Sequence, residues 1–343
     1  MQRLRTYAAV ALLAFSLVLS GCASHRGGLS LWEDAAPAKT ALVKFVSEAT
    51  DPSSPGFIPE AERLAVFDLD GTLFLETDPS YFDWALFEHR VLDDKSYAPT
   101  AAQRSAALKA RNEGRFPELN KAREDMVAQA YRGMTLSEFN DYVRDFMLEP
   151  QPGFTNLKRG QAFYRPMLEV VDMLVENGFT VYVVSGTERY TARALAQGSL
   201  NVPARQIIGS DGVVVSRGQG AKDALDYVFA ASDELALGGK SLVKDLQTNK
   251  VTAISREIGL VPVLAFGNSM SDASMLNYAL SNQKHKGLAF MLLCDDTERE
   301  YGKPDKAEKV RLESLKRGWI AVSMKNDWKT IYGDGVTRKG PDK

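Results

Sequence analysis

An α/β fold, a doubly wound parallel sheet carrying an inserted helical cap, is what this sequence predicts, and three observations predict it. Short apolar runs at residues 64–67, 179–184, 261–266 and 287–294 alternate with amphipathic helical patterns, which argues a parallel sheet with helices on both faces. The first run, Leu-Ala-Val-Phe, ends abruptly in Asp68 and Asp70, followed by Gly71 and Thr72. The carboxyl end of a buried strand is where open α/β sheets receive ligands. Between these acids and the next strong α/β signal near Arg165 lies a stretch rich in Ala, Glu, Lys, Arg and aromatics, with helical patches and no period-two strand. Such an insertion predicts a cap folded over the strand ends.

Taken in order, the chain opens with Arg3 and Arg5 before an apolar run over residues 7–19, too short to span a bilayer comfortably and suited to a signal h-region. Residues 1–21 are therefore excluded from the fold. The run ends Leu19-Ser20-Gly21-Cys22, which resembles the lipobox of bacterial lipoproteins. That resemblance implies a diacylglycerol on Cys22, a tether over residues 22–31 and a partner in the membrane of the cell envelope. Ala23 in the second mature position points to the outer membrane, and the sequence leaves open whether the periplasmic or the surface face carries the anchor. Ordered structure is expected from Trp32, with a helix over 38–50 carrying an apolar stripe, then the breaker-rich loop 51–59.

The cap, residues 80–160, shows helical patches at 80–92, 100–112, 117–131 and 135–148. The core comprises residues 32–79 and 161–343. It resumes with Pro166 in the first turn of a helix that stops at Asn177-Gly178, then a strand over 179–184 and a helix over 188–197. A short strand at 206–209 and a hairpin at 212–215 follow, and the segment to Gly239 has no assignable element. Helices at 250–258, 271–280 and 296–317 and strands at 261–266, 287–294 and 319–322 complete the reading.

Composition narrows the function classes. A chain of 343 residues with a formal net charge of −2 offers no basic footprint for nucleic acid. With Cys22 committed to lipid, Cys294 at the end of an apolar strand has no disulfide partner. His25, His89 and His285 make no metal-ligand spacing.

Two carboxylates one residue apart in a partly buried crevice are costly to ionise together, so they divide roles unless a cation neutralises them. The pattern Asp68-Leu-Asp70-Gly-Thr, on a strand end, resembles the haloacid dehalogenase superfamily and, with a helical cap after the first strand, its phosphoserine-phosphatase-like branch. The resemblance implies a Rossmann-like core and an Mg²⁺-dependent phosphomonoesterase for small phosphorylated metabolites. It makes Asp68 the nucleophile that forms an aspartyl-phosphate and Asp70 the general acid and base.

Further residues take roles by the same resemblance. Ser185 and Gly186 follow the second core strand and open a helix, where hydroxyl and amides face an anion, although a serine there is also an ordinary cap. Lys250 opens a helix against its dipole, which suggests an anionic target, with Lys244 and Lys240 as competitors. In Gly267-Asn268-Ser269-Met270-Ser271-Asp272, Asn268 stands where the family often carries an acid. The implied Mg²⁺ ligands are Asp68, the carbonyl of Asp70, and Asn268, with Asp272 beside them. Glu76, Tyr81, Phe82, Trp84 and Phe87 are candidates to contact the substrate, an ammonium group by cation–π included, or else form the cap's own core. The alternative from another class is a surface binding or scaffold lipoprotein whose metal site is weakened by Asn268.

Overall fold

The computed structural model describes residues 28–76 and 81–340. The signal segment, Cys22 and the expected start of the first cap helix at Ser80 lie outside those residues. In chain order the elements are α1 (Pro37–Thr50), β1 (Leu64–Phe67), α2 (Phe82–Leu92), α3 (Ala101–Glu113), α4 (Lys121–Gln129), α5 (Leu136–Met147), β2 (Phe154–Thr155), α6 (Arg165–Glu176), β3 (Thr180–Glu188) and α7 (Arg189–Ala196). There follow β4 (Ile207–Ser216), β5 (Leu235–Val243), α8 (Thr248–Glu257), β6 (Leu264–Gly267), α9 (Ala273–Leu280), β7 (Leu288–Leu293), α10 (Pro304–Arg317), β8 (Ile320–Ser323), α11 (Met324–Asp327) and β9 (Thr337–Arg338).

Seven strands form one sheet in the order β5-β4-β3-β1-β6-β7-β8. All neighbours pair in parallel except β4 with β5. β1 is central, with β3 on one side and β6 on the other, so the strand order reverses at its carboxyl end and a crevice opens there. Period-two alternation sends Ala65 and Phe67 to one apolar cluster and Leu64 and Val66 to the other, which is why the run reads as continuously hydrophobic. Phe67, Phe266 and Phe290 stack across three adjacent strands, with centroids 4.3 and 4.7 Å apart. This stack pins the register of the strands that carry the site.

Helices α2 to α5 make up the insertion. Thr100 and Thr135 close capping boxes with Gln103 and Glu138, and Asn120 caps α4. That cap shortens the helix expected at 117–131, because residues before Asn120 lie outside its hydrogen-bonded turns. Likewise Pro304 starts α10, so the expected helix at 296–317 covers only its second part.

The segment without a sequence assignment is the one that fastens the cap. Instead of a short strand and a small hairpin, β4 runs ten residues and returns through β5 as an antiparallel edge. β5 then bonds the cap directly: the Leu237 amide donates to the Met134 carbonyl at 2.9 Å, and the Gly133 amide to the Leu237 carbonyl at 2.8 Å. The Ser241 amide donates to the Asp125 carboxylate at 2.8 Å.

Two further departures concern the ends of elements. β3 remains extended through Glu188, with a register shift against β4 between Val184 and Glu188, so Ser185-Gly186-Thr187 form an irregularity within the strand, not a turn after it. The expected tether also ends early: Leu29 is buried, and Trp32 packs edge-on against Trp328 while its indole nitrogen donates to the Pro166 carbonyl at 3.0 Å.

Candidate active site

The crevice at the strand ends is a cavity of about 350 Å³ whose wall includes Asp68, Asp70, Gly186, Thr187 and Asn268 from the core. β1 delivers the acids because its ladder continues one step past Phe67, where the Asp68 amide donates to the Phe266 carbonyl at 2.9 Å. The chain then turns at Gly71, whose φ is +82°. A Cβ there would also lie 1.9 Å from the Asn268 amide nitrogen, so conformation and space both demand glycine.

Lys250 lies beneath the cavity, fully buried. Its ammonium donates to Asp68 Oδ1 at 2.5 Å, to the Val184 carbonyl at 2.7 Å and to Asp272 Oδ1 at 2.8 Å. An ammonium has three protons, and all three are engaged. Lys250, expected to hold the substrate's phosphate, is bonded to Asp68 here and does not line the cavity. Asp272, expected beside the metal, is tied up within the protein on both oxygens. Its Oδ1 holds Lys250, and its Oδ2 accepts the amides of Asn268 and Ser269 at 3.1 Å each. Ser185 is likewise buried behind the wall, its Oγ accepting the Thr187 amide at 3.0 Å, and only Gly186 and Thr187 of that segment line the cavity.

Burial and the neighbouring Asp272 carboxylate push Asp68 up to about 7, against the pull of Lys250. Asp70 is raised well above the ordinary carboxylate range, first by burial, then by the charge of Asp68. Thr187, for which only the backbone amide carried an expected role, donates its hydroxyl to Asp70 Oδ2 at 2.6 Å and fixes that carboxyl. Asp70 Oδ1 is buried with no partner. The two acids thus differ in their surroundings: Asp68 is paired with a buried cation, whereas Asp70 is held by a hydroxyl and keeps one oxygen without a partner.

Asp68, Asp70 and Asn268 present only hard oxygen donors to one cavity, and the orphaned Asp70 Oδ1 shows that the protein's own groups do not saturate the crevice. This donor set fits Mg²⁺, which keeps several waters and takes one or two carboxylates rather than a full protein cage. In keeping with that, no cluster of three or more acidic, histidine or cysteine side chains suited to a metal occurs among the described residues.

The cap supplies Tyr81, Asp83, Trp84, Leu119 and Arg123 to the same cavity, and the core adds Glu76, Lys244 and Lys306. Phe82 and Phe87 are instead buried core. The Arg123 guanidinium lies over the Trp84 ring at 4.7 Å, and Phe116 packs against that ring at 5.0 Å. Of the competing lysines, Lys244 lines the cavity, paired with Glu124 at 3.1 Å, and Lys240 is exposed. Cys294, a free half-buried thiol just past β7, is outside this cavity, and burial raises its pKa.

Residues 65–277, more than half of the chain, match the haloacid dehalogenase-like hydrolases, and the protein belongs to that family. No match was found among curated proteins. A solved structure of a conserved, functionally unknown protein from Anaerococcus prevotii is 14% identical, covering 85% of this chain and 94% of its own, with a TM-score of 0.50. Cytosolic 5'-nucleotidase IIIB bound to cytidine is 13% identical over 85% of this chain and 86% of its own, at a TM-score of 0.47. A substrate-bound phosphoserine phosphatase is 15% identical over 74% of this chain and 97% of its own, at 0.37. At such identities the likeness is one of fold.

Replacing Lys250 by methionine leaves two carboxylates buried without their cation. Lys250→Met is expected to lower unfolding free energy by about 3–5 kcal/mol, as removal of one partner of a buried pair does; urea denaturation of the two proteins measures it.

Proposed function

We propose that the protein is a phosphomonoesterase in which Asp68 attacks phosphorus and Asp70 serves the leaving group. The observation that carries this reading is the asymmetry of the two acids: Asp68 is paired with a buried lysine, whereas Asp70 is held by Thr187 with one oxygen unpartnered in the crevice. Family membership sets the class of chemistry, hydrolysis.

In this mechanism the Asp68 carboxylate forms an O–P bond in line with the ester oxygen as the P–O bond to the alcohol breaks. Asp70, neutral because burial and the Asp68 charge raise it, gives its proton to the departing oxygen. The resulting Asp70 carboxylate then takes a proton from water, which attacks the aspartyl-phosphate at phosphorus and releases inorganic phosphate, restoring Asp68. Lys250 holds Asp68 Oδ1 and keeps the anion oriented without touching the substrate. Asp68, the Asp70 carbonyl and Asn268 would hold Mg²⁺, whose positive charge screens the phosphoryl oxygens from the two acids.

Magnesium-dependent release of p-nitrophenol from p-nitrophenyl phosphate tests the reading. Asp68→Asn is expected to lower kcat by about 10³-fold or more, as loss of an essential nucleophile does; equal turnover in both proteins refutes the assignment. Asn268→Asp adds a charge to the donor set and should lower the Mg²⁺ concentration for half-maximal activity, and an unchanged or higher value removes Asn268 from the ligands.

We further propose that the enzyme is anchored in the cell envelope through lipid on Cys22, on the support of the Leu19-Ser20-Gly21-Cys22 pattern after an apolar segment. Among the described residues no helix is long and apolar enough to cross a membrane. Cys22→Ser should move the protein from the membrane to the soluble fraction, and continued sedimentation with membranes contradicts the anchor.

A further inference from the structure

A second chamber adjoins the catalytic cavity. It has a volume of about 80 Å³ and lies between the cap helices α2, α4 and α5 and the β4–β5 edge of the sheet, and it shares Asp83 and Lys244 with the catalytic cavity wall. Leu86, Val127, Phe139 and Leu237 line it, so it is mainly apolar. Two polar groups in that lining are unsatisfied. Tyr131 is 6% exposed and its hydroxyl has no hydrogen-bond partner. Glu188 caps α7 through Oε2, which accepts the Thr191 amide at 2.8 Å, and its Oε1 is buried without a partner.

Leaving a buried acceptor or hydroxyl unpaired is costly, so two of them in one small chamber call for an occupant. Its chemistry follows from the surrounding charges. Asp211 is neutralised by Arg189 at 2.6 Å, Glu124 pairs with Lys244 at 3.1 Å, and Lys240, the other lysine of the lining, is exposed to solvent. Asp83 and Glu188 face the chamber from the cap and the core, and burial raises both, Glu188 to about 7, a strain that a cation would relieve. A carboxylate or second phosphate would meet these acids and is disfavoured. An ammonium brings donors for Glu188 Oε1 and the Tyr131 hydroxyl oxygen and a charge for the edge-packed rings of Tyr131 and Phe139, whose centroids are 5.0 Å apart. The position suits a leaving group as well: Glu188 directly follows Thr187, whose hydroxyl holds Asp70.

We propose that this chamber is the subsite for the far end of the substrate's alcohol, and that it takes a primary alkylammonium, so the favoured substrates are phosphate monoesters of amino alcohols. The inference rests on the phosphomonoesterase reading for the word substrate, but the chamber's preference can be measured without turnover.

The test uses the wild-type protein and non-hydrolysable probes: a homologous series of ω-aminoalkyl phosphonates, each beside the n-alkyl and ω-hydroxyalkyl phosphonate of equal length, titrated calorimetrically. At the best-fitting length the amine is expected to bind about tenfold or more tightly than both partners, the factor that one charge-assisted hydrogen bond supplies. That ratio should fall towards one in Glu188→Gln, whose remaining carbonyl oxygen can still cap α7, and should drop in Tyr131→Phe. Equal binding of the three probes at every length, or a ratio unchanged in both variants, overturns the inference. If the amine preference is found but p-nitrophenyl phosphate is not hydrolysed, the subsite stands and the phosphomonoesterase reading fails.

Discussion

Lys250 is buried between two carboxylates from different elements, Asp68 after β1 and Asp272 at the start of α9, while its third proton goes to the middle of β3 through the Val184 carbonyl. One ammonium thereby ties the three central strands together at the point where their order reverses. Without it, Asp68 and Asp272 would be like charges in a fully buried space, and folding would demand that at least one stay protonated. With it, Asp68 is held in one orientation at the floor of the crevice. The stability of the fold and the placement of that carboxyl rest on the same three contacts.

The rest of the architecture serves to keep water and neighbours in register around that floor. The phenylalanine stack across β1, β6 and β7 fixes the relative height of Asp68 and Asn268, and Gly71 leaves the space that the Asn268 amide fills. The cap roofs the crevice from α2 and α4, and it is held by backbone bonds to β5, not by its helices alone. An edge strand that bonds the cap links the roof to the sheet, so the shape of the cavity is set by core and cap together.

How much of this the sequence made legible depended on whether the cause was local. The run Leu64–Phe67 ending in two acids is a local signal, and so are the alternation that fixes the fold class and the threonines that cap α3 and α5. The β4–β5 edge was illegible because its pairing is long-range, its register shifts twice, and the exposed excursion between its strands carries apolar residues such as Leu225 and Val228. Lys250 was legible as a lysine set against a helix dipole but not as the partner of Asp68, since the dipole argument sees the helix and not the side chain folded under β3. The same holds for Asp272, because only the fold shows that its Oδ2 closes the loop by accepting two amides. Thr187 carried no signal beyond its neighbour Ser185, and the unsatisfied Tyr131 and Glu188 become visible only when the cap is in place.

The central claim is that the carboxylate held by Lys250 becomes covalently phosphorylated during turnover. Quenching the enzyme in steady state with substrate, reducing it with borohydride and mapping the peptides by mass spectrometry tests this directly, because borohydride converts an acyl phosphate to the alcohol. The account predicts homoserine at position 68 in the wild-type protein with substrate, and none without it. Turnover that leaves Asp68 unreduced, or reduction at another aspartate, would contradict it.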